Sequence, residues 1–422
     1  MEIETKEKEV FISSVVEAVY KELLSNDKVK KGLAFLEADN EFTAKEQTEI
    51  TEIPAPTFQE EVRGGDFKKR LEALGIQNIS VDEVGNVFGV RPGTGKEPKL
   101  VVCGHLDTVF PEGTDVKAKI KDGIIYAPGI GDDGRGLASV LTLIRSLNHA
   151  NIQTVGDIII GANVGEEGLG DLRGMKALFK NRKDIDGFIS IEPGSPERTT
   201  YLGVGSKRYS ITFKGPGGHS YGAFGTPSPT HALTRAGAKI ADLQVPNEPK
   251  TTFNIGLISG GTSVNTISET ANMVIDLRSS SQEQLLSLES TVLAILNEAA
   301  EEENKRWNTD VIKVEIKLVG DRPAGSQSVE SMAVQASLAA TKGLGFEPIL
   351  APAGSTDSNV PINLGIPAVT LGGGGETGGT HTLDEWFNPK DAFYGVQKIL
   401  LTILGLVGVT ECTEPLLEIR GE

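Results

Sequence analysis

The apolar run Val101-Val102-Cys103, passing into Gly104-His105-Leu106-Asp107, constrains this chain more than any other stretch. It reads as a strand that ends in a glycine and then presents His-x-Asp. In extended chain, residues two apart face the same side, so His105 and Asp107 can meet at the strand's carboxyl end. The carboxylate would then hold one ring nitrogen and leave the other to bind a metal. Alone, such a histidine also fits a structural residue satisfied near a core strand, so its meaning depends on the acids and the second histidine further along the chain.

Around that strand the hydrophobic pattern alternates. Phe11, Val15, Val19 and Leu23 recur at helical spacing, a second helix runs through about Leu36, and Thr57-Phe58-Gln59-Glu60 fits a capping box opening a helix with Phe67, Leu71 and Leu74. Strands are expected over 87–90, 100–104, 157–162 and 187–191, a hairpin over 117–126, and helices from Leu137 and near 172–179. This order gives an α/β fold with a mostly parallel central sheet flanked by helices, and ligands in such sheets gather at the carboxyl ends of strands. His105, Glu166, Glu167 and Glu192 fall just past expected strand ends.

From about Ser206 the pattern changes. Strands over 209–214, 252–259 and 272–278 interleave with helices over 229–243 and 285–300, which reads as an inserted α+β sandwich. The earlier style resumes with a helix over 328–341, strands over 349–351 and 368–371, and a last helix after Pro389. The expected organisation is therefore a discontinuous catalytic domain, 1–205 with 322–422, interrupted by a lid or dimerisation domain over 206–321. A length of 422 residues also suits two cores better than one.

Downstream of His105 come Gly131-Asp132-Asp133-Gly134, Gly165-Glu166-Glu167-Gly168, Ile191-Glu192-Pro193-Gly194 and Gly379-Thr380-His381-Thr382. Singly, each acid could be a solvated turn residue. Jointly, two histidines and three or four carboxylates suit a pair of divalent cations, zinc by default, with one carboxylate bridging. Glu166 and Glu167 leave a strand side by side and should point to opposite sides, so one would ligate while the other does proton chemistry on a metal-activated water.

These motifs, in this order, resemble the dizinc aminoacylase, carboxypeptidase G and peptidase T family of metallopeptidases, from about Pro54 onward, with wording nearest peptidase T-like members. The resemblance implies hydrolysis of amide bonds in small peptides or N-acyl amino acids. It implies two zinc ions, for which cobalt or manganese could substitute: His105, Asp132 and Glu192 on one, and Asp132, Glu167 and His381 on the other. Asp107 would orient His105, and Glu166 would be the general base. His219, in Gly217-Gly218-His219-Ser220, would help stabilise the oxyanion, often from a partner subunit. Asn265 and Arg278 would contact the substrate carboxylate, although an ion pair to Asp276 or another local acid is nearly as good an account of Arg278. The chain departs from the family in having Gly134-Arg135 where a lysine often follows the bridging acid, and no role is carried to Arg135. Glu192 is Glu and not Asp, which in the family goes more often with acyl-amino-acid and carboxypeptidase-like activity. An aminotripeptidase acting on free N-termini is the alternative within the class, and a non-catalytic metal-binding or assembly protein the alternative outside it.

Composition narrows the partners. A formal charge of -17 argues against nucleic acid, which selects clustered Lys and Arg. Two cysteines far apart make no disulfide framework, and Met1–Glu9 is mixed-charge without the apolar core of a signal peptide. The run from Ile399 to Val409 is too short to span a bilayer and reads as a buried helix. The expectation is a cytoplasmic homodimer, joined through the inserted domain, with no nucleic-acid or membrane partner. Gly354-Ser355-Thr356-Asp357 and Gly372 to Gly375 are expected to shape the pocket wall, and His149 and His231 to be structural.

Overall fold

The computed structural model describes residues 11–420, so the N-terminal segment Met1–Glu9 lies outside the described residues. Two compact units form: the chain up to Leu202 together with Gln327 onward, and Gly203–Ser326. These limits differ from the expected 205/206 and 321/322 by a few residues.

The first unit is built on an eight-stranded sheet. Its middle is the parallel set Asp157–Asn163, Lys99–His105, Gly187–Glu192 and Ala368–Gly372. Gln77–Val81 and Val87–Arg91 extend one side antiparallel; Arg198–Thr200, antiparallel to Ala368–Gly372, and Ile349–Leu350 extend the other. Both faces of the central strands are covered. Leu100 and Val102 join one apolar cluster with the helices Ser14–Ser25, Asp27–Ala38, Gly134–His149, Met332–Gly343 and Phe393–Val407. Val101 and Cys103 join a second cluster with Arg173–Asn181. That two-sided burial is why the strand has no polar alternation. Each such side chain contributes about 1.5–3 kcal/mol.

Several local expectations need correction. The first helix, Ser14–Ser25, buries Val16, Tyr20 and Leu23, with Ile12 buried just before it, while Phe11 and Val15 are exposed, because all of the docked stripe but Leu23 lies one position further along the chain. The Thr57–Glu60 capping box does not form: the helix begins at Glu61 after Glu60, with no side-chain cap, and Thr57 is bonded elsewhere. A helix absent from the sequence reading, Asn40–Thr51, buries Thr43, Glu46, Gln47 and Thr51 and so shows no apolar stripe.

The second unit is a four-stranded antiparallel sheet in the order Thr251–Gly260, Thr270–Ser279, Gly205–Lys214, Lys313–Arg322, packed with the helices Pro229–Ala241 and Gln282–Arg306 around one core. Among the described residues no helix is long and apolar enough to cross a membrane.

Candidate metal centre

Parallel pairing brings His105 level with Asn163, and Glu192 level with Gly372, at one end of the sheet. Gly104 must be glycine there, since a Cβ would meet Asp133 Oδ2 at 2.5 Å. Asp132 comes from the turn before Gly134–His149, and Glu166 and Glu167 from the loop after Asp157–Asn163. That loop reverses through Gly165, at φ 68°, so the two glutamates do not follow strand alternation. The expectation that they face opposite ways is therefore overturned: both are buried, and both offer a donor atom to one cluster with His105.

Among the described residues three donor sets have ligand atoms mutually within 4.8 Å: His105, Asp132 and Glu192; Asp132, Glu167 and His381; and His105, Glu166 and Glu167. Asp132 ties the first two together. Its Oδ1 lies 2.9 Å from His105 Nε2 and its Oδ2 lies 3.2 Å from His381 Nε2. His381 Nε2 is also 3.0 Å from Glu167 Oε1, and His105 Nε2 is 3.9 Å from Glu192 Oε2.

These donors fit a divalent cation on two observations. His105 Nδ1 donates to the main-chain oxygen of Asp107 at 2.9 Å, so in the neutral ring the Nε2 lone pair points at carboxylate oxygen and requires a cation or proton between them. Glu192 Oε1 is buried without a hydrogen-bond partner. Imidazole and carboxylate donors suit zinc, cobalt or manganese. Cys103 belongs to none of these donor sets and packs in the second apolar cluster.

The electrostatics show a surplus of negative charge. Burial raises Glu192 well above the usual carboxylate range, and burial with the Asp132 charge raises Glu167. Burial alone would lower His105, but hydrogen bonds to Asp107 and Asp132 hold it well above the histidine range. The hydrogen bond to Asp132 leads in raising His381 to about 9. Burial opposes ionisation of Asp132, yet its bonds to both imidazoles carry it below the usual value.

Asp107 acts differently from the simple expectation. Its carboxylate stands 3.6 Å from His105 Nδ1, and it accepts the N–H groups of Glu166 and Glu167, both at 3.0 Å, together with the Thr57 hydroxyl at 2.9 Å. It therefore holds the turn that presents both glutamates.

Other supporting residues escaped sequence reading. Asp133 is fully buried and accepts the N–H groups of His105 and Gly136, both at 2.9 Å. Glu385 accepts from Gly129, Gly131 and Asp132 at 2.9 to 3.0 Å, clasping the loop that carries Asp132. Arg63 donates to the carbonyls of Thr51, Ile53 and Leu106. Arg135 turns into the interior, donating to Gly373 and Ala392 carbonyls, with burial lowering it to about 9. Asp133 lies in the glycine-flanked turn and caps the helix it precedes; Glu385, Arg63 and Arg135 have no flanking pattern that marks them, because their partners are backbone groups of distant segments.

The remaining expected residues lie on the second unit. His219 is exposed on Gly218–His219, and its Nδ1 accepts the N–H groups of Tyr221 and Gly222, which places the ring proton on Nε2. The Asn265 main-chain oxygen accepts from Ser220, and its Oδ1 accepts from Ser263, so Asn265 and His219 are neighbours. Arg278 Nε is bound to Asp276 Oδ2 at 2.7 Å, the ion pair weighed from the sequence. His149 stacks on Phe35, and His231 lies 3.6 Å from Glu303.

A cavity of about 400 Å³ opens beside the first donor set, and Gly354, Thr356 and Gly372 form part of its wall. Known proteins share this framework. The chain is 26% identical over 354 residues to YqjE of Bacillus subtilis, covering 81% of this chain and 92% of that protein. It is 25% identical over 357 residues to succinyl-diaminopimelate desuccinylase of Corynebacterium glutamicum, covering 83% and 92%. The aminopeptidase PepT structure from Bacillus cereus superposes with a TM-score of 0.72 at 25% identity, covering 86% of this chain and 98% of PepT. The profile of peptidase family M20/M25/M40 matches residues 101–405, from the strand that carries His105 to the last helix. By that match the chain belongs to peptidase family M20/M25/M40, and it is a metal-dependent hydrolase of peptide or amide bonds.

Proposed function

We propose that the protein hydrolyses the amide bond of short peptides or N-acyl amino acids with two zinc ions, one held by His105, Asp132 and Glu192 and the other by Asp132, Glu167 and His381. The observation that carries this reading is Asp132, whose two oxygens each approach a different imidazole. When bound, the ions supply Lewis acidity toward the scissile carbonyl and acidify a water. Glu166 takes that water's proton as it attacks and delivers it to the leaving amine. Asp107 keeps Glu166 in reach through its grip on the Glu166 and Glu167 N–H groups. His219 is assigned to the oxyanion by family resemblance, and its Nε2–H tautomer suits a donor there.

The N-acyl side of the reading draws on the desuccinylase relative. Aminotripeptidase action is the second reading, favoured by the PepT likeness. Substrates blocked at either end separate them: loss of turnover only when the amine is blocked selects the aminopeptidase. Arg278 and Asn265 keep a proposed role in holding a substrate carboxylate, which for Arg278 requires leaving Asp276. Homodimerisation is proposed through the second unit, and a cytoplasmic location from the two free cysteines.

Glu166→Gln tests the mechanism directly. Turnover should fall by at least about 10²- to 10⁴-fold, while metal analysis still finds about two equivalents per chain. Retained turnover would remove Glu166 from the base role, and one equivalent would remove the two-ion centre.

A further inference from the structure

Most cations around the candidate centre are already committed: Arg63 and Arg135 to carbonyls, and Arg173 to Glu60 at 2.7 Å. Arg198 is not. It is exposed, and its guanidinium has no ion-pair or hydrogen-bond partner among the described residues, yet it lines the same cavity as Asp132 and Glu192. Strand alternation explains its direction. Thr199 faces the buried side, 2.6 Å from Ser337 Oγ and 3.0 Å from Lys398 Nζ, so Arg198 and Thr200 face the other way. The backbone there is braced, with Lys398 Nζ donating to the Arg198 carbonyl at 2.7 Å and Ile349 paired alongside.

The cavity chemistry suits an anion. Its acids, Asp132 and Glu192, belong to the proposed metal sets, so bound cations neutralise them, and what is left is one guanidinium with the hydroxyls of Thr200 and Thr380 and of Thr356 and Thr370, the last two bonded to each other and to Ser358. A guanidinium fork beside hydroxyl donors matches a carboxylate. We propose that Arg198 binds a carboxylate of the substrate and is a specificity-determining residue for carboxylate-bearing amides. This rests on the amide-hydrolase reading. The carboxylate has two sources, the free C-terminus or an acidic acyl group.

Two substrate pairs distinguish those sources: N-succinylalanine against N-butyrylalanine, and N-butyrylalanine against its C-terminal amide. In Arg198→Gln the preference for the carboxylate member of one pair should fall about 10- to 100-fold, mainly through KM, with the other pair unchanged and Arg198→Lys recovering part. Collapse of the first pair assigns the acyl carboxylate, and of the second the C-terminus. Equal loss on all compounds, or both ratios unchanged, overturns the proposal. Dissociation constants for the same compounds, measured calorimetrically on metal-loaded Glu166→Gln with and without Arg198→Gln, need no turnover. If hydrolysis fails altogether but the binding preference still depends on Arg198, the N-acyl reading falls and the carboxylate site stands; a binding preference independent of Arg198 removes the site.

Discussion

Thr57 shows how a residue's role can be decided by its neighbour in space. Its hydroxyl donates to Asp107, whose other bonds hold the Glu166 and Glu167 N–H groups. Thr57→Val keeps the shape and removes that bond, worth about 1 kcal/mol. We expect kcat to drop by about five-fold, with KM and metal content unchanged; kinetics as in the wild type would show that Asp107 holds the turn unaided. The residues of the donor sets stand out in the sequence because each is an acid or histidine beside glycines or in a glycine-flanked turn. Glu385 and Arg63 could not, since a buried side chain bonded to remote main-chain groups leaves no local signature.

At the scale of elements, the last helix, Phe393–Val407, carries a buried lysine. Burial lowers Lys398 from 10.5 to about 7, although its Nζ donates to Arg198 O and Thr199 Oγ1. In the unfolded chain the amine binds a proton up to its ordinary pKa, while in the folded chain it has released it above about 7. The unfolded state therefore holds more protons between roughly pH 7 and 10, and stability must rise with pH across that window. Relative to Lys398→Met, the wild type should gain on the order of a few kcal/mol from pH 7 to 10, with the full burial penalty present below 7. Denaturant titrations of both proteins at several pH values check the slope; parallel curves would mean the amine is solvated. Helices with apolar stripes were readable, as in Gly134–His149. Asn40–Thr51 was not, because Gln47 docks by donating to the Ile130 carbonyl and Glu46 by pairing with Arg145 and Arg70.

At the scale of the whole molecule, the second unit has an open edge. Thr251–Gly260 ends its sheet's order, and Leu257 and Ile258 are 66% and 64% exposed there. An edge strand with exposed apolar residues is a template for pairing with another copy. On the proposed dimer, the wild type should sediment as a dimer and a Leu257→Asp, Ile258→Asp variant should fold and sediment as a monomer; a variant that stays dimeric would move the interface elsewhere.

The order of strands and helices, the interruption from about residue 206, and the identity of the acids and histidines came from sequence alone, because periodicity and glycine-flanked polar residues are local properties of the chain. What only the tertiary structure decided is which atoms meet: that Asp132 spans two imidazoles, that Asp107 grips a glutamate turn, and that Arg278 is held by Asp276 while the Arg198 guanidinium has no partner among the described residues. Most of those pairings join residues tens to hundreds of positions apart, and their free energy exists only once burial has removed the water that would otherwise have satisfied each group.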